Sequence, residues 1–327
     1  MKCGFIAVTS AALCLVILGF VIVGRTDVSQ LPTHTAWVIA GCGLAWIAIR
    51  GGFEPRRRLV ALAVPPVVAG LALGFMAPQQ CRPINAAMLP ALLVIAGTAL
   101  LTLDNSPRRQ FLFGLAVVAI ASLLVAQRNL ATAITIGLTA LVLLKTAGSP
   151  SRHLLAGAMS AMTALCVYLL QDASTLRRIH FAIHRDPDDE VALPLMLQAI
   201  REGGWLGSDT REGMLYRYAP REAINEYVGV HIIEQWGMIA FLAVLVGFGL
   251  LVFGAISSYR GAQDLPRRLT SAGAACLIAW PVLLHTLVLF DIFPIRSPAL
   301  PLVSHDGPML AASGIALGLI TASRRMT

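Results

Sequence analysis

An all-α fold threaded through a membrane as a bundle of about ten helices is what this sequence predicts, on three observations. The 327 residues are 57% hydrophobic and only 13% charged, with a mean hydropathy of +0.75. A soluble globular domain carries about twice that charge fraction. The apolar residues gather in runs near the roughly 20 residues that a helix needs to cross hydrocarbon. Lys and Arg fall in small groups between these runs, with no basic patch interleaved with aromatics. The formal net charge of +8 therefore reads as membrane topology and excludes a nucleic-acid partner. Backbone within lipid must close its own hydrogen bonds, and runs of this length do so as helices.

The expected spans lie near 4–24, 33–50, 59–77, 84–103, 111–127, 130–147, 154–170, 227–256, 271–290 and 307–323, each bounded by polar punctuation. The first follows Met1-Lys2 and closes at Arg25; it is too long for the apolar part of a signal peptide, has no small-x-small cleavage pattern and leads into further spans. It is expected to stay attached. The second closes at Arg50, and the third lies between Arg56-Arg57-Arg58 and Pro78. The fourth runs from Arg82-Pro83 to Asp104, the fifth from Arg108-Arg109 to Arg128, and the sixth from Asn129 to Lys145, whose ammonium is expected to snorkel to the interface. Arg152 and Asp172 bracket the seventh, Tyr227 and Arg260 the eighth, Arg267-Arg268 and Asp291 the ninth, and Gly307 and Arg324 the tenth.

Orientation follows from the cations. Alternate segments carry Lys2, then Arg50 with Arg56, Arg57 and Arg58, then Arg108-Arg109, Lys145 with Arg152, Arg260 with Arg267-Arg268, and Arg324-Arg325. The intervening short loops hold only Arg25, Arg82, Arg128 and Arg296. The rich side is cytoplasmic, so both termini are expected there, in agreement with an even number of spans. The whole chain, 1–327, reads as a single transmembrane domain. Residues 171–226 form its one long connection, polar and on the outer side, and function is expected there. Within it Leu193–Ile200 is apolar but too short to span, which suits an interfacial helix, and it ends in Gly203-Gly204-Trp205-Leu206-Gly207.

Several chemistries drop out at once. Among Cys3, Cys14, Cys42, Cys81, Cys166 and Cys276 there is no CxxC, no zinc spacing and no disulfide framework. No Walker A, HExxH or dinucleotide-binding glycine pattern stands in its structural context. The remaining candidates are ionisable groups at the outer mouth, where charge is expensive and tends to mark a site. Glu226 falls where the eighth span meets water, and Glu234 lies about 12 Å deeper at the helical rise. Glu226 reads either as a functional carboxylate or as an acid stabilised at a helix start. Glu234 reads either as a functional group or as a buried acid satisfied by a neighbouring helix. Ser304, His305 and Asp306 precede the last span; three consecutive residues cannot align as a hydrolytic triad, and Ser304 or Asp306 suits a helix cap. The arginines of the long loop, Arg177, Arg178, Arg185, Arg201, Arg211, Arg217 and Arg221, are each either solvated or phosphate ligands. His285 and Asp291 offer either a polar pair beside a cavity or, for the histidine, a hydrogen bond between helices.

Three stretches, taken together, resemble a known family. They are Gln198-Ala-Ile-Arg-Glu-Gly-Gly-Trp-Leu-Gly207; Pro220 followed by Asn225-Glu-Tyr-Val-Gly-Val-His-Ile-Ile-Glu-Gln-Trp-Gly237; and Leu300-Pro-Leu-Val-Ser-His-Asp-Gly307. In order and spacing they resemble the SEDS (RodA/FtsW/SpoVE) family of peptidoglycan glycosyltransferases, best over about 187–325. Gln80-Cys-Arg-Pro-Ile-Asn85 and Arg128-Asn-Leu-Ala-Thr-Ala133 match its earlier motifs more loosely. The resemblance implies that Gln198, Gly203, Gly204, Gly207, Pro220, Glu234, Gly237, Pro301 and Gly307 are structural motif residues. It implies that Glu226 stands at the catalytic aspartate's position as the base. Glu226 for Asp, Ile84-Asn85 for Ser-Glu, Met88 for Lys, Asn129 for Asp and His305-Asp306 for Tyr-Gly mark a divergent member.

What the resemblance further implies is polymerisation of glycan strands from undecaprenyl-diphosphate-linked disaccharide, during elongation or division, at the outer face of a bacterial cytoplasmic membrane. Arg201, Arg217, Arg221, Arg296 and Ser304 are then the expected substrate contacts. No protein metal site is expected, although a divalent cation could help hold the leaving diphosphate. The expected partner is a class B penicillin-binding protein that crosslinks the glycan. Two other classes stay open: a non-catalytic scaffold, which the altered motifs favour, and a flippase or transporter, for which a convincing internal repeat is missing. A lipid-linked polysaccharide ligase would lack the order of Gly-Gly-x-x-Gly then proline.

Overall fold

The computed structural model describes residues 2–26, 28–50, 88–103, 106–126, 130–152, 154–155, 157–159, 192–208, 227–293 and 297–325. Among these every regular element is helical: α1 (Lys2–Thr26), α2 (Leu31–Arg50, entered through a short 3-10 turn at Val28–Gln30), α3 (Leu89–Leu103), α4 (Pro107–Ala126), α5 (Leu130–Thr146), α6 (Ala192–Gly203), α7 (Val228–Gly261), α8 (Leu265–Leu289) and α9 (Gly307–Arg325). The all-α expectation holds for these residues. The expected span at 59–77, most of the one at 154–170 and most of the long loop lie outside the described residues.

α1, α2, α7 and α8 are long and apolar enough to cross a membrane, and α3, α5 and α9 are shorter apolar helices. The eighth-span helix displays why the chain is an integral membrane protein. One row on α7, Phe241, Val244, Phe248, Leu251 and Ala255, is buried, while Ile239, Leu242, Val246, Leu250 and Phe253 project outward. A helix that is apolar on both faces is at home only with lipid on the outer one.

Local chemistry sets where the helices start. Asp264 accepts the Arg267 N–H at 3.3 Å and pairs with the Arg267 guanidinium at 3.3 Å, with Pro266 in the first turn of α8. Lys145 reaches past the end of α5 to the Ser151 hydroxyl at 3.4 Å, as expected of a snorkelling lysine.

α8 is the hub, packed against α3, α5, α7 and α9. α4 and α5 pack with α3 around a second core of Leu101, Phe113, Ile136 and Leu143. Among the described residues the most extensive helix pairing is α2 with α9, and small residues make it. Gly314 lies on the Gly41 backbone, Gly41 on the Leu310 carbonyl, and Gly318 against Ala45 and Ala48. Such small-residue seams let helix backbones approach closely where lipid, being as apolar as the side chains, offers no hydrophobic drive for association.

Candidate functional site

The amphipathic helix α6 lays Met196 and Ala199 into the core against α7 and leaves Gln198, Arg201 and Glu202 exposed, with Gln198 donating to Glu202 at 3.0 Å. It fits the interfacial helix expected from its short apolar run. At its end Gly203 meets the backbone of Ile233 and Glu234 so closely that any Cβ would collide with it. The chain then turns through Gly204-Trp205-Leu206, and Gly207 (φ +89°) settles on the Gln235 carbonyl.

At the same level α7 is broken at Gly237, whose φ of 83° and ψ of 172° only glycine adopts readily. A Cβ there would collide with the Trp205 carbonyl. The break separates Met238 N–H and Ile239 N–H from the α7 carbonyls they would reach in a regular helix. Both donors are taken up by the turn: Met238 N–H donates to the Gly204 carbonyl at 2.9 Å and Ile239 N–H to the Trp205 carbonyl at 3.3 Å. The freed Glu234 carbonyl receives the Ser208 N–H and the Ser208 hydroxyl, each at 2.9 Å. The Gly203–Ser208 turn is thus spliced into α7, and the Met238 and Ile239 amides and the Glu234 carbonyl freed by the break are answered within the splice. This is what the glycines of the Gly-Gly-x-x-Gly run and Gly237 do. Glu234 contributes its backbone carbonyl here while its side chain is buried.

A second tie secures the start of α7. Gly229 N–H, an orphan donor of the first turn, donates to His285 Nε2 at 3.2 Å, and His285 Nδ1 lies 2.8 Å from the Pro298 carbonyl and 2.7 Å from Ser297 Oγ. A carbonyl only accepts, so Nδ1 carries the proton and the ring is neutral. His285 therefore makes the hydrogen bond between helices, joining α7, α8 and the segment before α9.

That segment folds inward. Pro301 is buried, and Leu302 takes a left-handed φ of 62°. Ser304 departs from its expectation as a substrate contact: it is fully buried and its hydroxyl donates to the Leu300 carbonyl at 2.8 Å, closing the turn. Gly307 opens α9 with Trp37 packed where a side chain would stand. His305 stacks on His34 of α2, ring centroids 5.5 Å apart.

Asp306 is the cap of α9, accepting the Met309 N–H at 3.3 Å. Burial pushes its carboxyl above the usual carboxylate range, and the Met309 bond pulls the other way. A raised folded pKa favours the protonated folded state, so the stability this group contributes is greatest in acid and is lost as the pH rises through the raised value. Asp306→Asn keeps the acceptor and removes the desolvated charge. Its thermal midpoint in detergent, relative to the parent's, is expected to rise with pH above the carboxylate range. Asp306→Ala is expected to lose about 1 kcal/mol with the cap.

Glu226, Arg217, Arg221, Arg296 and Pro220 lie outside the described residues. α7 begins at Val228, two residues beyond Glu226. Arg201 is exposed on the last turn of α6. One residue read only for topology joins this region: Arg25 at the end of α1 donates to Gln235 Oε1 at 3.4 Å and stacks over Trp236, 5.3 Å from its centroid. Nothing local in sequence pairs residues so far apart. Among the described residues no three His, Cys, Asp or Glu side chains gather as a metal-binding set.

Comparison with known proteins gives consistent matches. The cell cycle protein family FtsW/RodA/SpoVE matches residues 83–327. The probable peptidoglycan glycosyltransferase FtsW of Trichlorobacter lovleyi is 27% identical over 201 residues, 61% of this chain and 53% of that protein. Its counterpart in a Geobacter species is 27% identical over 209 residues, 63% and 57% of the two chains. The chain thus spans little more than half the length of these curated relatives. A chain from a solved peptidoglycan synthase complex, described as coordinating polymerization and crosslinking, shares the fold with a TM-score of 0.73 at 22% identity over 97% of both chains. Rod shape determining protein RodA of Thermus thermophilus does so with a TM-score of 0.66 at 21% identity, over 98% of this chain and 96% of that one.

Proposed function

We propose that this chain, which belongs to the FtsW/RodA/SpoVE family of cell cycle proteins, is a peptidoglycan glycosyltransferase that polymerises undecaprenyl-diphosphate-linked disaccharide. The observation that carries the reading is the splice. It pins the motif turn Gly203–Ser208 to the outer part of α7, so the helix whose first turn follows Glu226 is held by backbone hydrogen bonds and not by side chains alone. A catalytic group on such a framework keeps its position, which is what transition-state stabilisation needs.

In this reading Glu226 accepts the proton of the acceptor sugar hydroxyl. The new glycosidic C–O bond forms as the bond from the donor sugar to the lipid diphosphate breaks, and the diphosphate departs with the bonding pair. Arg201, Arg217, Arg221 and Arg296 are the cations proposed to balance the charge that grows on it. The termini face the cytoplasm and the site faces outward, in accord with the cation asymmetry of the loops. By analogy with the synthase complex that shares its fold, the partner is a transpeptidase of the class B penicillin-binding type.

The test is glycan-strand synthesis by purified full-length protein reconstituted with lipid-linked disaccharide, with and without that partner. Strand products in either arm are the expected result; none in both arms overturns the polymerase reading. The substitutions at motif positions, Glu226 and His305-Asp306 above all, favour one second reading, a non-catalytic membrane scaffold. It predicts partner binding without strands.

A further inference from the structure

We propose that Arg25, Gln235 and Trp236 form a phosphate-gripping site at the outer rim of the bundle, and that its ligand is the diphosphate headgroup of a polyprenyl carrier. The identity of the carrier rests on the polymerase reading; the phosphate chemistry rests on geometry.

An arginine at the end of a span ordinarily snorkels to water with its side chain free. Arg25 closes the apolar stretch Val8–Arg25, and its guanidinium is exposed, yet it is held at two points by a different helix. Its Cζ lies over the Trp236 indole, 5.3 Å from the ring centroid, and its Nη1 donates to Gln235 Oε1 at 3.4 Å. The indole is itself steadied by His231, edge-on with centroids 6.3 Å apart. Among the described residues no carboxylate pairs with the guanidinium. A guanidinium has five N–H donors, of which Gln235 takes one and a ring beneath it takes none, so donors are left for a bidentate acceptor such as phosphate.

The platform is rigid for a reason already given. Gln235 and Trp236 are the two residues clamped between the Gly207 contact and the Gly237 break, next to the Met238 and Ile239 bonds to the turn. A cation fixed on such a platform loses little freedom when it binds.

The ligand is an amphiphile because of what leads up to the cation. Leu13, Ile17 and Val21 are all exposed and occupy the i, i+4 row of α1 that ends on Arg25. An apolar track rising along a span to a held guanidinium matches a lipid tail with an anionic head. Bulk phospholipid has that general form too, but presents a singly charged phosphodiester, whereas a diphosphate offers more charge and more acceptors to the fork. The site also adjoins the Gly203–Ser208 turn, which is pinned to the helix whose first turn follows Glu226.

The full-length protein in phosphatidylcholine nanodiscs is titrated with undecaprenyl diphosphate and, separately, with phosphatidylglycerol, binding being read by native mass spectrometry. The diphosphate is expected to bind at least about 10-fold more tightly than phosphatidylglycerol, and Arg25→Gln to lose about 10-fold or more of that affinity, the worth of a charge-assisted hydrogen-bonded pair. Arg25→Lys, which keeps the charge and loses the fork, is expected to fall between. Equal thermal midpoints for the three proteins exclude a folding effect. Parent-like diphosphate affinity in Arg25→Gln overturns the proposal. So does phosphatidylglycerol binding that equals the diphosphate and is lost equally, since that describes an ordinary lipid anchor. A chain that binds diphosphate through Arg25 but makes no glycan upholds this site while overturning the polymerase reading.

Discussion

Glu226→Gln is expected to lower glycan-strand synthesis by about 10²- to 10⁴-fold, the usual contribution of a general base, with no change in the thermal midpoint of the purified protein. Glutamine keeps the size and loses the basicity, so turnover separates from folding in one measurement. Glu226→Asp distinguishes how the base is placed. In the resemblance drawn from the sequence this position corresponds to an aspartate, which is one methylene shorter. If the surrounding residues have adapted to glutamate, a retreat near 1 Å is expected to cost about 10²-fold, a loss that lengthening the side chain again restores. Full polymerisation by Glu226→Gln removes the base assignment.

Gly237→Ala is expected to destabilise the protein by roughly 4–6 kcal/mol. The backbone there occupies a region open to glycine almost alone, which accounts for about 1–3 kcal/mol, and the added Cβ meets the Trp205 carbonyl. Moving the turn away forfeits bonds from Met238, Ile239 and Ser208 at about 1 kcal/mol each. Thermal unfolding in detergent measures the loss. The control is Gly249→Ala on the same helix, where a Cβ meets nothing within 4 Å and the backbone is helical. There alanine is expected to stabilise by about 0.5–1 kcal/mol. Equal effects at the two positions would mean that the splice does not hold the helix.

The membrane-spanning character and most helix positions were legible because hydropathy reports what each run is solvated by. Hydropathy was less informative about helix ends. α8 begins at Leu265 and α4 at Pro107, several residues before the expected apolar starts, because a helix continues into the headgroup region where Arg267-Arg268 and Arg108-Arg109 are well solvated. There the cap and proline signals, Asp264 with Pro266 and Pro107, decide the boundary. Of the site, the glycines were legible as a motif but their purpose was not. Nothing in a linear pattern says that the Gly204 carbonyl will serve Met238, or that Ser208 will serve Glu234. The same holds for His285, whose bond to the Gly229 amide exists only once α7 and α8 are packed. Ser304 reads in the sequence as a polar residue open at an outer motif, and only the folded turn from Leu300 shows its hydroxyl directed inward.

The seam between α2 and α9 bears on how the molecule is made. Gly41 leaves the ribosome long before Gly314 does; at synthesis rates of about 5–20 residues per second the interval is roughly 15–55 s. Through that time α2 sits in the bilayer without its principal neighbour, its narrow glycine flank open to whatever helix drifts by. A quality-control protease or insertion chaperone that recognises unmatched small-residue grooves would act in that window, and premature termination before Gly307 would leave α2 permanently orphaned.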